Sequence, residues 1–194
     1  MNKKMKKLLI TLFLCLALFA CSNTNSTNEK TQLNEIEISS YPVDMSGYKG
    51  ISSTRHNFKG ISPSEIIRII EEKGSAIIYM GFDGCHVCQE AAKYINEVAE
   101  ELEVTVYYLN CADPKYPLSG KIYNQLMEKL DPILDTNKAG QKTIFTPHVF
   151  TIENGELKNG HISVVDSWED GRPSEDSVNE LKAIYKDLMA NFVK

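Results

Sequence analysis

The chain has 194 residues, 21 of them Lys or Arg and 26 Asp or Glu, for a formal net charge of −5. Without the four lysines at its very start, 17 basic residues face 26 acidic ones, a net charge of −9. An acidic chain with no basic cluster excludes nucleic acid as a partner and excludes electrostatic attachment to anionic lipid.

Lys3, Lys4, Lys6 and Lys7 form a positive leader, and residues 8–20 are an apolar run. That run is too short to span a bilayer comfortably, so residues 1–20 read as a signal peptide. It ends in Leu18-Phe19-Ala20-Cys21, which resembles the bacterial lipobox, and polar residues come directly after it. The resemblance implies a lipid on Cys21 and a place on the outer face of the cell membrane. Residues 22–40 are rich in Asn, Ser, Thr and Glu, and are expected to bury too little to fold. Residues 21–45 are therefore expected to be a lipidated, flexible tether, with an r.m.s. reach on the order of 25–30 Å. The remainder of the chain, residues 46–194, has the length of one domain with a sizeable core.

Within that domain, residues 51–58 are a weak strand candidate. Ser62-Pro63-Ser64-Glu65 is a capping box with proline at the first helical position, and Ile66, Ile67, Ile69 and Ile70 come next before Gly74 stops the helix. Residues 75–80 are a short apolar run of the kind a buried parallel strand shows. Residues 88–102 read as a helix with Val87, Ala91, Ile95, Val98 and Leu102 as its stripe, and residues 104–109 as a second buried strand. Residues 118–134, with Ile122, Leu126 and Leu130 in register, predict a helix inserted before the next strand. Residues 147–153 and 156–162 form a hairpin about Asn154-Gly155, a pair suited to the positive φ of a two-residue turn. A last helix starts near Ser174, with Val178, Leu181, Tyr185, Leu188 and Phe192 on one face. The class is α/β: a mixed central sheet with helices on both faces, without an internal repeat or a glycine-rich phosphate loop.

Of five cysteines, Cys15 leaves with the signal and Cys21 carries lipid, so Cys85, Cys88 and Cys111 remain. A pair plus one odd thiol is a site rather than a disulfide scaffold. Phe82-Asp83-Gly84-Cys85-His86-Val87-Cys88 lies between a buried strand and a helix start. There a thiolate meets free N–H groups and the positive end of the helix dipole. Cys85, at the open end, is expected to attack and Cys88, one turn inside, to resolve. His86 is either a charge that tunes the Cys85 thiolate or an exposed bystander. Cys111 is either a small buried hydrophobe or a third thiol able to exchange with the pair.

With Cys85-x-x-Cys88 after a strand and Thr146-Pro147 before the hairpin, residues 50–194 resemble the thioredoxin-like superfamily. The resemblance implies a cis peptide bond at Pro147, packed against the dithiol, and substrate hydrogen bonding by the backbone of Thr146. It also implies a thiol–disulfide oxidoreductase without a cofactor, acting on exported or cell-envelope proteins that contain cysteine and recycled by a membrane redox partner. The layout is similar to that of accessory proteins of bacteriocin transport. Departures are clear too: Gly84 replaces the tryptophan before the first cysteine, His86-Val87 replaces Gly-Pro, and Tyr79 replaces the buried acid. Two other readings remain open. Cys85 and Cys88, with His86 or His148, suit a soft ion such as Cu(I) in a chaperone or sensor, and a redox-inactive binding lipoprotein would need only the fold.

Overall fold

A computed structural model describes residues 32–117 and 119–194. The expected signal peptide, Cys15, the lipidation candidate Cys21 and the first part of the expected tether lie outside these residues. Among the described residues no helix is long and apolar enough to cross a membrane.

The elements in chain order are β1 (Phe58–Gly60), α1 (Pro63–Glu71), β2 (Ala76–Gly81), α2 (His86–Glu101), β3 (Val106–Asn110) and α3 (Lys121–Leu130). Next come a 3-10 turn (Asp131–Ile133), β4 (Asp135–Thr136), β5 (Lys142–Thr143), β6 (His148–Glu153), β7 (Glu156–Ile162) and α4 (Glu175–Met189). The main sheet runs β1-β3-β2-β6-β7, with β1, β3 and β2 parallel and β6 and β7 antiparallel to their neighbours. This is the α/β architecture that the sequence implied, a mixed central sheet with helices on both faces.

Local chemistry explains the boundaries. Ser62 caps α1 by accepting the Glu65 N–H at 3.2 Å, and Ser174 caps α4 by accepting the Ser177 N–H at 3.1 Å. The Glu65 carboxylate bonds to the Ser39 N–H and Arg68. Helix α1 ends in a Schellman turn in which Lys73, not Gly74, takes the positive φ of 57°. Gly74 is close-packed for another reason: a Cβ there would lie 2.5 Å from Ile36 Cδ1, so the end of that side chain would have to shift. Asn154 and Gly155 turn the β6–β7 hairpin with φ of 54° and 81°, the pattern a two-residue turn demands.

Two apolar layers sandwich the sheet. On one face α2 and α4 pack through Cys88, Ala91, Ile95, Val98, Leu181 and Tyr185, among others. On the opposite face α1 and α3 bury Ile66, Ile69, Leu126 and Leu130 against Ile78, Met80, Phe150 and Ile152. The inserted segment thus supplies helix α3, as its apolar register predicts, and the residues after it form the two-stranded β4–β5 ribbon.

Two expectations need correction. Residues 51–57 are turn rather than strand, because their polar groups are used elsewhere. Ser52 Oγ accepts the Thr54 and Arg55 N–H groups, and Asn57 Nδ2 donates to Ala99 O and Val104 O at the end of α2. The second concerns residues 32–45, which lie along the domain instead of extending from it. Asn34 and Asn154 bond to each other, Asn34 Nδ2 donates to Lys73 O, and Asn154 Nδ2 donates to Gln32 O. Ile36 and Ile38 pack on the α1 face, Tyr41 bridges Gly60, and Met45 is fully buried. The alternating Ile36-x-Ile38 is the apolar signal that the polar composition around it obscures.

Candidate active site

The three parallel strands end at one edge of the sheet, where open α/β sheets place ligands. Strand β2 ends at Gly81, and Phe82–Asp83–Gly84 carries the chain to Cys85, the N-cap of α2. Its extended backbone, with φ −85° and ψ 117°, aims the sulfur back over the helix start, where it accepts the Cys88 N–H at 3.1 Å. The first turn of α2 holds no acidic residue, so the positive end of the helix dipole is left for a thiolate. Cys85 and Cys88 are joined by a disulfide, with Cα atoms 5.1 Å apart. Cys85 is half-buried, whereas Cys88 is fully buried among the α2 core residues.

Across the sheet, β6 runs antiparallel to β2 and brings its first residues to the same edge, with His148 opposite Met80. The Thr146–Pro147 bond is cis. Thr146 approaches the dithiol twice: its hydroxyl donates to Cys85 Sγ at 3.6 Å, and its carbonyl oxygen lies 3.7 Å from the same sulfur. Folding thus brings Cys85, Cys88, Thr146 and Pro147 into one cluster from two distant segments.

His86 stands apart. Its side chain is 65% exposed and its Nε2 lies 3.6 Å from the Asp170 carboxylate, in the loop after β7. His148 is fully buried on β6 beside Phe150, and burial pushes its imidazole down to about 4, so it is neutral at neutral pH. Among the described residues no group of three or more His, Cys, Asp or Glu side chains is arranged to hold a metal ion. Cys111 comes directly after β3, donates its N–H to Gly81 O at 2.9 Å and is buried.

Tyr79 is fully buried in the core layer that also holds Cys88. Its hydroxyl donates to Tyr48, 3.4 Å away, and the Tyr48 and Tyr108 hydroxyls are 3.0 Å apart. Burial raises all three phenols above their ordinary range, so they stay protonated where a carboxylate would ionise. Tyr48 comes from the segment that continues the N-terminal strap, residues 32–50. That strap also meets Gln89, which bonds to the backbone of Gly47, Lys49 and Asp83. Nothing in the sequence marks Gln89, a polar residue on a helix surface, until residues 47–49 are seen folded against it.

Neither protein-family profiles nor curated proteins match this sequence. Solved structures do match. Thioredoxin O2 of Arabidopsis thaliana, in its oxidized state, is 16% identical over 74% of this chain and 100% of its own, with a TM-score of 0.43. Thioredoxin O1 of the same plant, also oxidized, is 14% identical over 68% of this chain and 97% of its own, with a TM-score of 0.42. Thioredoxin F from spinach chloroplast, short form, is 13% identical over 70% of this chain and 99% of its own, with a TM-score of 0.40.

Proposed function

We propose that this chain is an extracytoplasmic thiol–disulfide oxidoreductase that acts on exported proteins through Cys85 and Cys88. The observation that carries the reading is the asymmetry of the pair. Cys85 is reachable at a helix N-terminus and accepts two hydrogen bonds, while Cys88 is fully buried one turn behind it.

In the reduced chain the Cys85 thiolate attacks one sulfur of a substrate disulfide. A Cys85–substrate bond forms, the substrate S–S bond breaks, and the other substrate sulfur leaves as a thiolate that takes up a proton. Cys88 then gives up its proton and attacks the Cys85 sulfur. The Cys85–Cys88 disulfide forms and the second substrate thiol is released, two electrons having passed to the substrate. Run backwards, the same steps oxidise a substrate dithiol. The N–H of Cys88 and the Thr146 hydroxyl favour the thiolate at Cys85. Thr146, half-buried beside Cys85, offers its main chain to an extended substrate, and Phe145, 39% exposed, adds an apolar contact. The three neutral tyrosines cannot stand in for a buried carboxylate as proton acceptor, so the Cys88 proton leaves by another route.

The setting we infer is the outer face of the cell membrane, with a lipid on Cys21. There a membrane redox partner recycles the dithiol, in an export role similar to that of bacteriocin-transport accessory proteins. Support comes from the leader, the lipobox-like residues and the acidic balance of the rest.

The test is trapping under non-reducing conditions. Cys88→Ser accumulates mixed disulfides with exported proteins, because the intermediate forms and cannot resolve, while Cys85→Ser forms few. Equal trapping by both removes the assignment of Cys85 as nucleophile, and trapping by neither removes the oxidoreductase. In the same cells Cys21→Ala releases the protein or leaves it unprocessed; processed protein still firmly on the membrane refutes the anchor.

A further inference from the structure

We propose that Gln89 is a positioning residue for the dithiol, tying the loop that delivers Cys85 to the N-terminal strap. The proposal rests on Cys85 being the nucleophile and adds what holds its sulfur in place.

Gln89 lies four residues beyond Cys85, and its own N–H makes the ordinary helical bond to Cys85 O at 3.0 Å. Its side chain does something unusual for an exposed helix surface. Nε2 donates to Asp83 O at 2.5 Å and to Gly47 O at 2.8 Å, and Oε1 accepts the Lys49 N–H at 2.9 Å. One amide therefore serves three main-chain groups, two from the strap and one from the dithiol loop. Two carbonyls face one end and an N–H faces the other, so the partners fix the orientation of the amide.

Phe82 packs on the core where the loop begins, but beyond it the loop has little else to hold it. Asp83 and Gly84 are exposed, and Gly84 has no side chain to bury. One turn bond, Cys85 N–H to Phe82 O at 3.1 Å, closes it from within. The strap, by contrast, is firmly seated. Met45 is fully buried and Tyr48 is locked into the tyrosine cluster, its hydroxyl 3.0 Å from that of Tyr108. Gly47 touches the loop so closely that an added Cβ would lie 2.5 Å from Asp83 Oδ2 and 3.0 Å from Asp83 Cβ. A rigid strap thus acts on a weakly anchored loop at two points, the Gln89 amide and Gly47.

What the loop positions is the Cys85 sulfur over the Cys88 N–H. That bond is strongest when the sulfur is an anion, so it favours the thiolate over the thiol. A loop free to shift lengthens the bond, destabilises the thiolate and slows every step that begins with it.

The experiment measures the pH dependence of iodoacetamide alkylation at Cys85 in the reduced chain from residue 22 onward, mapped by mass. Gln89→Met removes all three side-chain bonds without adding charge. Gly47→Ala pushes on Asp83 from the strap and touches neither cysteine. Both variants shift the Cys85 profile to higher pH by about one unit, a roughly tenfold slower reaction below the midpoint. The double variant shifts it no further than the larger single change, because both act through one loop. Asn34→Ala, which loosens the strap at the opposite end of the sheet, leaves the profile in place. Superimposable profiles for Gln89→Met, Gly47→Ala and the unaltered chain overturn the proposal, as does an equal shift by Asn34→Ala. Alkylation is read whether or not the chain transfers disulfides. A failure of trapping therefore counts against the oxidoreductase and leaves this comparison standing.

Discussion

Two neighbouring parallel strands, β2 and β3, each deliver a cysteine to the same edge of the sheet, with opposite results. After β2 the chain makes a short loop and enters a helix at once, so Cys85 becomes an N-cap whose sulfur accepts the Cys88 N–H. After β3 no helix begins until Lys121. The chain turns on Asn110, whose side chain accepts the Ala112 N–H at 2.9 Å. The Cys111 sulfur lies 3.8 Å from the carbonyl oxygen of Leu109, much as the Cys85 sulfur lies 3.7 Å from that of Thr146. The contrast therefore rests on burial and on the Cys88 N–H and Thr146 hydroxyl that Cys85 accepts. Burial pushes that thiol up to about 11. Nearness to a strand end is therefore not what prepares a cysteine for chemistry; a helix start and access to solvent are.

The largest effect expected from this contrast is in alkylation of the fully reduced domain at pH 7. A thiol raised to about 11 by burial is ionised about 100-fold less than an ordinary exposed one, before its poor access to reagent is counted. Cys85 is labelled first, and Cys111 resists by more than that factor. Comparable labelling of the two, read by mass, breaks the comparison and revives Cys111 as a third exchanging thiol.

The same desolvation acts with opposite sign on a base, and His148 at this edge of the sheet shows it. Its folded value of about 4 lies below the ordinary value near 6.5 that the unfolded chain retains. Between those values the unfolded state binds more protons, so stability rises with pH and is lost as pH falls from about 6.5 through 4. The loss is on the order of 3 kcal/mol across the window. Urea unfolding at pH 7 and pH 5 should show a smaller pH difference in His148→Leu than in the unaltered chain. Equal differences would mean that His148 is solvated and that this edge is wetter than its packing indicates.

A smaller effect separates local from global exposure. Ser62 caps α1, on the face of the sheet that also buries Cys111. Ser62→Ala costs about 1 kcal/mol. If Cys111 becomes reachable only when the domain opens, that cost speeds its alkylation about fivefold. Cys85, already at the surface, keeps its rate. A Cys111 rate that does not move points instead to a local opening near α3.

Much of the fold is legible in short stretches of sequence. Ser62-Pro63-Ser64-Glu65 starts a helix because a hydroxyl can satisfy an N–H three residues on. Asn154-Gly155 turns a hairpin because both residues accept positive φ. The short apolar runs about Ile77 and Tyr108, rich in Ile, Val and Tyr, suit buried strands. The dithiol was legible for the same reason, since its neighbours supply the strand before it and the helix after it.

What the sequence by itself determined are these interactions among residues a few positions apart: helix caps, turn dihedrals, strand periods and the place of Cys85 at a helix start. The tertiary structure alone decided the rest. It laid residues 32–45 against the domain, because Ile36 needs the gap over Gly74 and Asn34 needs Asn154, 120 positions away. It made Gln89 a clamp by bringing Gly47 and Lys49 to it, and it aimed His86 at Asp170. It also settled the state of Cys111, whose sulfur differs from that of Cys85 through burial and through the partners folding brought near. Local rules cannot express those outcomes, because the energy of a polar or ionisable group depends on what surrounds it in space, and most of its surroundings come from distant chain.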